Sequence, residues 1–343
     1  MKKTIAVLFF VLTTFNYGQT VIGKYAGEFM SIGVGGRALG MGGAQVAAVD
    51  DVTSGYWNPA GLARLDYPQF SLMHEEHFGN LVNYNYAAVA LPYGDDMSFG
   101  LSVIRLAVDG IPDTRDAQID LNTREQIYDL NHPNWGLDYS KITEFSNQDW
   151  AFYLTFSKRQ SEKLYWGANV KVVRRDLAEY SATGIGFDVG AVYFPTANLS
   201  LGANIMDVTT TLVAWSTGRN ELITPTAKLG AAYKLNFLGG TITPALDFDF
   251  RFENRQFAST FNAGLVSVDV RTGLEYDFKN VIAVRGGYTD INQFTVGAGI
   301  KLPKLNIDYS YAVINDSKLE RLPDTHRISL MLTLEEPKYK RGN

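Results

Sequence analysis

The sequence predicts an all-β fold: a transmembrane antiparallel β-barrel of about fourteen strands with an N-terminal hatch, or plug, inside its lumen. Three observations predict it. From Gln69 onward, apolar and small or polar residues alternate with a period of two. The faces opposite the apolar ones are rich in Gly, Ser, Ala and Asn, where a solvated sheet would carry Lys and Glu. The links between segments alternate between tight turns and long, irregular loops.

The alternation is plain in several segments. Ile185, Phe187, Val189, Ala191 and Tyr193 share one face, with Gly186, Asp188 and Gly190 on the other. Leu246, Phe248, Phe250 and Phe252 oppose Asp247, Asp249 and Arg251. Ile328, Leu330, Leu332 and Leu334 oppose Arg327, Ser329, Met331 and Thr333. The predicted strands span 69–76, 81–92, 96–109, 149–160, 163–175, 181–195, 197–209, 223–236, 240–253, 266–278, 281–290, 292–302, 304–314 and 325–335. Gly94-Asp95, Ser161-Glu162, Pro195-Thr196, Leu238-Gly239, Lys279-Asn280 and Pro303 make the tight links, and 110–148, 210–222, 254–265 and 315–325 the long ones. Short turns at one rim and long loops at the other describe a bacterial outer-membrane barrel, and an even strand count puts both termini on the short-turn, periplasmic side. A soluble β-sandwich also alternates. It has no reason to alternate its loops, and it does not need strands long enough to cross a bilayer at a tilt.

The 343-residue chain opens with Lys2 and Lys3, an apolar run from Ile5 to Leu12, then small or polar residues. That is the order of a secretory signal, and the run is too short to span a membrane as a helix. The expected organisation is a signal peptide at 1–19, a hatch at 20–67, a transmembrane β-barrel at 68–336 and a short periplasmic tail at 337–343. Without Lys2 and Lys3, 29 basic residues face 36 acidic ones, and no basic patch appears, which excludes nucleic acid as a partner. The absence of cysteine excludes a disulfide scaffold, thiolate metal sites and a cysteine nucleophile. The 19 tyrosines, 20 phenylalanines and 32 glycines suit a β-rich chain with aromatic belts.

A barrel of this size is wide enough to leave a lumen. Its inward positions include Asp188, Lys228, Asp247, Asp249, Arg251, Arg271, Glu275, Asp277, Arg285 and Asp308. Isolated ions in a narrow interior are costly, so these are expected to pair across strands in a network that holds a plug, in preference to lining a conduction path. Residues 20–67 are too few for an independent domain but enough to fold back into the lumen. Gly33, Gly35, Gly36, Gly40, Gly42 and Gly43 permit close backbone approach there. Asn58-Pro59 signals a turn.

Asn58-Pro59-Ala60 resembles the Asn-Pro-Ala motif in the hatch of FadL-like outer-membrane barrels. With Gly40, Gly42, Gly43 and Gly61 it forms the candidate hatch motif. The string from Arg37 to Ala44, the pair Asp50-Asp51, the run Tyr56 to Gly61 and the closing His326 to Leu330 resemble the PorV/PorQ family of Bacteroidota-type bacteria. The match covers the hatch well and the barrel only in pattern. The resemblance implies a non-enzymatic accessory subunit of a protein export or assembly machine of the type IX secretion kind. It would sit in the outer membrane of a Gram-negative, Bacteroidota-type bacterium, its partners the lipid bilayer and a larger outer-membrane protein complex. The alternative is a FadL-like passive transporter of hydrophobic small molecules. That function predicts an apolar pocket between hatch and wall and a kink or gap in one strand.

Little else in the sequence carries chemistry. Gly-Met-Gly-Gly near residue 40 lacks the strand, spacing and helix of a dinucleotide site. His74-Glu75-Glu76-His77 has the wrong spacing for a zinc protease and reads as a solvated extracellular rim. The segment 109–149 is acidic but has no EF-hand spacing, so a hydrated surface loop is expected. Trp135 and Tyr139 there, and Trp215 in the 210–222 loop, are candidate partner contacts. No nucleophile, base and orienting group stand together, so no enzyme, cofactor or metal is expected.

Overall fold

The computed structural model describes residues 20–22, 27–77, 81–253, 255, 259–289, 293–314 and 325–342. The predicted signal at 1–19 lies outside the described residues. Fourteen strands build the wall: β1 (Gln69–His77), β2 (Val82–Tyr93), β3 (Met97–Asp113), β4 (Thr143–Arg159), β5 (Leu164–Leu177), β6 (Tyr180–Tyr193), β7 (Leu199–Met206), β8 (Thr226–Tyr233), β9 (Gly240–Arg251), β10 (Val266–Phe278), β11 (Ile282–Tyr288), β12 (Gln293–Leu302), β13 (Leu305–Ile314) and β14 (Thr325–Thr333). Each pairs antiparallel with the next. β14 pairs with β1 from Gln69↔Thr333 to Glu76↔His326, so the sheet closes and keeps no edge. Each predicted segment corresponds to one of these strands. The largest differences lie at the long-loop rim, where β3 runs on to Asp113 and β4 begins at Thr143. The two continue past the barrel as a paired ribbon, with a register shift between Val108 and Ile111.

Burial is inverted relative to a soluble protein. In β6 the side chains of Ile185, Phe187 and Val189 are exposed while Asp188 is buried. In β9 Leu246 and Phe248 are exposed while Asp247 and Asp249 are buried. Aliphatic and aromatic groups outside with ions inside suit hydrocarbon around the wall and a polar interior.

The long-loop rim carries structure of its own. Strands Thr211–Trp215 and Asn220–Ile223 form a hairpin that continues the wall against β6, from Ile185 to Ala182. Gln118–Asp120 and Trp135–Leu137 pair as a small separate ribbon. Strand Thr20–Ile22 runs parallel to Asn220–Leu222. This corrects the expectation for the termini. Strand β1 begins and β14 ends at the short-turn rim, but Thr20 lies at the opposite, long-loop rim, because it adds to the edge of the hairpin there. The chain therefore passes down through the barrel before it enters the wall.

Most residues from Phe29 to Leu65 are buried inside the barrel. Short helical turns at Glu28–Ser31, Gly36–Gly40, Ser54–Trp57 and Pro59–Arg64 fold this segment. Helical turns satisfy their own backbone groups, as a segment with no strand partner in a closed wall must.

Candidate functional site: the hatch and the lumen wall

The Asn-Pro-Ala turn is a junction between hatch and wall. Asn58 is extended, and its Oδ1 accepts from the Ala60 N–H at 3.2 Å, capping the turn that opens with Pro59. Its Nδ2 donates to the Val46 carbonyl at 2.7 Å and to the Ala191 carbonyl of β6 at 3.2 Å. A side-chain carbon on Gly190 of β6 would strike Asn58 Oδ1, and one on Gly167 of β5 would stand 2.6 Å from the Pro59 carbonyl carbon. Wall glycines thus form the dent in which the turn sits. On the far side Gly42 has φ 64° and lies against the backbone of Tyr288, while Gly287 of β11 faces Gly42 N. Gly40 backs onto Gly297 of β12, Gly43 sits under Trp57, and Gly61 abuts Ser54. Gly36, Gly40 and Gly61 do not have positive φ. Their role is close approach alone.

The predicted lumenal charges meet in ion pairs, except Asp247, which binds backbone, and Asp247, Arg251 and Glu275 bond to the hatch itself. Arg37 of the hatch donates to Glu275 at 2.9 and 3.0 Å and to Asp50 at 2.6 Å. Arg285 joins Glu275 and Asp308, each at 2.7 Å. Asp247 accepts the backbone N–H groups of Gln45 and Val46 at 2.6 and 2.8 Å. Asp249 pairs with Lys228 at 3.1 Å and Arg271 at 3.3 Å. Arg251 stands 3.3 Å from Glu28 and 3.8 Å from Asp269. Asp277 pairs with Lys301.

Several ions were not singled out by the sequence. Lys171 lies between Asp188 at 2.8 Å and Asp207 at 2.7 Å. Arg327 donates to Glu75 at 2.7 Å. The expectation of a solvated rim at 74–77 is therefore wrong for Glu75, which is fully buried. It falls on the inward phase of β1, while His74 and Glu76 face out. The alternation that placed Asp188 would have placed Glu75 as well.

In the hatch, desolvation opposes charge at Asp50, yet Arg37, Arg64 and Lys234 hold its carboxyl well below the usual carboxylate range. Desolvation likewise works against Arg37, and Glu275, Asp50 and Asp51 overcome it.

One sector of the wall is different. The inward positions Tyr84, Tyr86, Ala88 and Ala90 of β2, Ser98, Gly100, Ser102 and Ile104 of β3, and Ala151, Tyr153, Thr155 and Ser157 of β4 carry no charge. Phe29, Met30, Leu39, Tyr56, Trp57 and Leu62 of the hatch pack with Tyr84, Tyr86, Ile104 and Tyr153 in one buried cluster. The rings of Tyr56 and Tyr153 are 6.2 Å apart. Tyr56 donates to the Met30 carbonyl and the Trp57 indole to the Val34 carbonyl. The hatch therefore has two unlike sides, one pinned by ions and one packed on an aromatic wall.

No protein-family model and no curated protein matches the chain. Solved structures do. The Ralstonia pickettii toluene transporter TbuX aligns with a TM-score of 0.57 at 14% identity, over 88% of this chain and 98% of that one. The Pseudomonas putida toluene transporter TodX aligns with a TM-score of 0.56 at 15% identity, over 88% and 97%. A Pseudomonas aeruginosa FadL homologue aligns with a TM-score of 0.52 at 14% identity, over 86% and 97%. The chain has the FadL-like barrel fold.

At the long-loop rim of this FadL-like barrel, Tyr139 is 80% exposed, and Tyr128 and Leu130 are mostly exposed as well. Trp135 is half-buried in its ribbon, and the half-buried Trp215 has the Arg175 guanidinium 5.6 Å from its ring. Four of the nine acidic residues of 109–149 cap local turns. Asp113, Asp120, Asp129 and Asp138 each accept a backbone N–H two residues on. Among the described residues no cluster of potential ligands could hold a metal ion.

Proposed function

We propose that the protein is a passive outer-membrane transporter of small hydrophobic molecules, with residues 20–67 as its movable hatch. The observation that carries this reading is the aromatic sector of β2–β4 against the hatch, uncharged from Tyr84, Ile104 and Ala151 toward the short-turn rim; the one buried carboxylate of that phase, Asp149, is paired within the wall to Arg175. Contacts there are mostly non-directional, so the hatch can part from that wall without leaving an ion unpaired. On the opposite side Arg37, Asp247 and their partners hold it in place. A hydrophobic molecule passing between Tyr56 and Tyr153 exchanges one apolar surface for another. The fold likeness to two toluene transporters supports the same reading. The test is uptake of labelled toluene by whole cells carrying the barrel, with Tyr153→Asp as the variant. Uptake above barrel-free cells, and its loss in the variant, is the expected result. Equal uptake with and without the barrel overturns the reading.

A second reading rests on the PorV/PorQ resemblance of the hatch and on the exposed extracellular aromatics. In it the barrel is an accessory subunit of a type IX-like export machine in a Bacteroidota-type outer membrane, with Trp135, Tyr139 and Trp215 meeting a larger protein. Affinity purification from native membranes separates the two. A stoichiometric outer-membrane partner lost on Tyr139→Ala supports this one, and a barrel that purifies alone sinks it.

A further inference from the structure

The lipid-facing wall across β14, β1, β2, β3 and β4 carries a groove of about 610 Å³. Its origin is a size mismatch along one cross-strand row. Leu330, Leu72, Ala87, Val103 and Phe152 lie side by side in register, and Ala87 is the only one without a branched or aromatic side chain. The methyl leaves a hollow that Leu72, Val103, Ile328 and Leu330 wall in. The next row toward the extracellular rim is His74, Asn85, Arg105 and Trp150, again in register. The groove thus ends against a guanidinium.

Arg105 is loosely engaged. Its Nε reaches Gln148 only at 3.4 Å, its Nη2 stands 3.9 Å from Asp109, and its carbon lies 5.5 Å from the Trp150 ring centroid. His74 is held by Asn85 at 2.7 Å, with Glu76 beyond it. Glu76 and Asp109 lie further along their strands toward the rim, so Arg105 is the first full charge above the apolar rows. Trp and Arg at one height mark the membrane–water interface.

We propose that this groove binds one phosphate-bearing lipid of the outer leaflet, an acyl chain lying over Ala87 and the phosphate on Arg105. Only membrane lipid reaches this face in the bilayer, and the sequence of apolar trough, guanidinium and water matches such a lipid end to end. A guanidinium with long contacts is free to take two phosphate oxygens at once. The proposal does not depend on the transport reading, since it concerns the outside of the wall.

The test is native mass spectrometry of the purified full chain titrated with lipid A and with dephosphorylated lipid A. Two variants act on separate halves of the site: Arg105→Ala removes the cation, and Ala87→Leu fills the trough. Retained heat-modifiable migration on gels confirms that each variant is folded. The expected result is a one-to-one lipid A adduct that weakens about tenfold in each variant. Removal of the phosphate should weaken the adduct for the wild type but not for Arg105→Ala. Equal binding of the two lipids by the wild type overturns the proposal. So does wild-type affinity in either variant.

Discussion

Lys171 has no solvent exposure and two carboxylates within ion-pair distance, Asp188 and Asp207. Asp188 also accepts from Asn169 and from the Asp207 backbone, so its charge is matched on several sides. Removing the ammonium leaves two buried anions facing each other. Lys171→Met should therefore cost about 3–5 kcal/mol, the range for breaking a buried pair. Replacing all three as Lys171→Met, Asp188→Asn and Asp207→Asn should restore most of it, because the desolvation cost goes with the charges. Urea titration of the barrel in lipid vesicles measures both. A triple variant no more stable than the single one would show that the triad does more than neutralise itself. At the junction with the wall, Gly190→Val should prevent the Asn58 turn from seating, since its first added carbon already meets Asn58 Oδ1. The expected sign is a hatch cleaved by trypsin while the barrel stays resistant.

The hatch is held by elements of two kinds, and acid should tell them apart. Asp50 carries a folded-state pKa below the value near 4 of an unfolded carboxyl. A depressed value adds stability that is complete above the unfolded pKa and is lost as pH falls through the folded one. The pairing of Asp50 with Arg37 and Arg64 inside the hatch and with Lys234 beside β8 should thus be constant from pH 8 to about pH 5 and weaken progressively below about pH 4. Amide exchange in 36–50 should rise over that window, and exchange in Asn58–Leu62, held by carbonyls and glycine seats, should not; Arg64 pairs with Asp50 and belongs to the acid-sensitive part. Asp50→Asn should flatten the response. These elements also show what a sequence can carry. The strands were legible because a wall between lipid and lumen forces strict alternation on every residue, Glu75 included once its phase is followed. The hatch motif was legible as a glycine-rich run ending in Asn58-Pro59. Its partners were not, because Gly190, Gly167 and Gly287 look like any small inward residues until the chain is closed into a ring. Thr20–Ile22 was not legible for a related reason: three residues carry no period, and their place depends on a long-loop hairpin edge far along the chain.

At the scale of the whole molecule, the closed wall and the buried segment divide the labour of stability. The wall satisfies its own hydrogen bonds around the ring and presents its apolar side chains to lipid, so it does not need the hatch to exist as a barrel. The hatch has no comparable independence. Its helical turns are four to six residues long, and its buried surface lies against the wall. Removing residues 27–65 should therefore leave a folded barrel that is less stable, not an unfolded chain. Its interior would then hold Glu275, Asp247, Asp249 and Lys228 around water in place of protein. Water resolvates those ions, which limits the loss, while the aromatic sector at Tyr84 and Tyr153 becomes wetted and adds to it. A lumen of fourteen strands so emptied should conduct ions. The expected outcome in planar bilayers is a near-silent wild type, because the hatch seals the bore, and a steadily open channel for the deletion. Asn58→Ala should lie between them and flicker, since it loosens one seat and leaves the Arg37 and Asp247 anchors intact. A wild type that conducts as steadily as the deletion would mean that the hatch does not seal the bore. Transport along the aromatic sector would then have to compete with an aqueous leak, and the selective role proposed for that sector would fail with it.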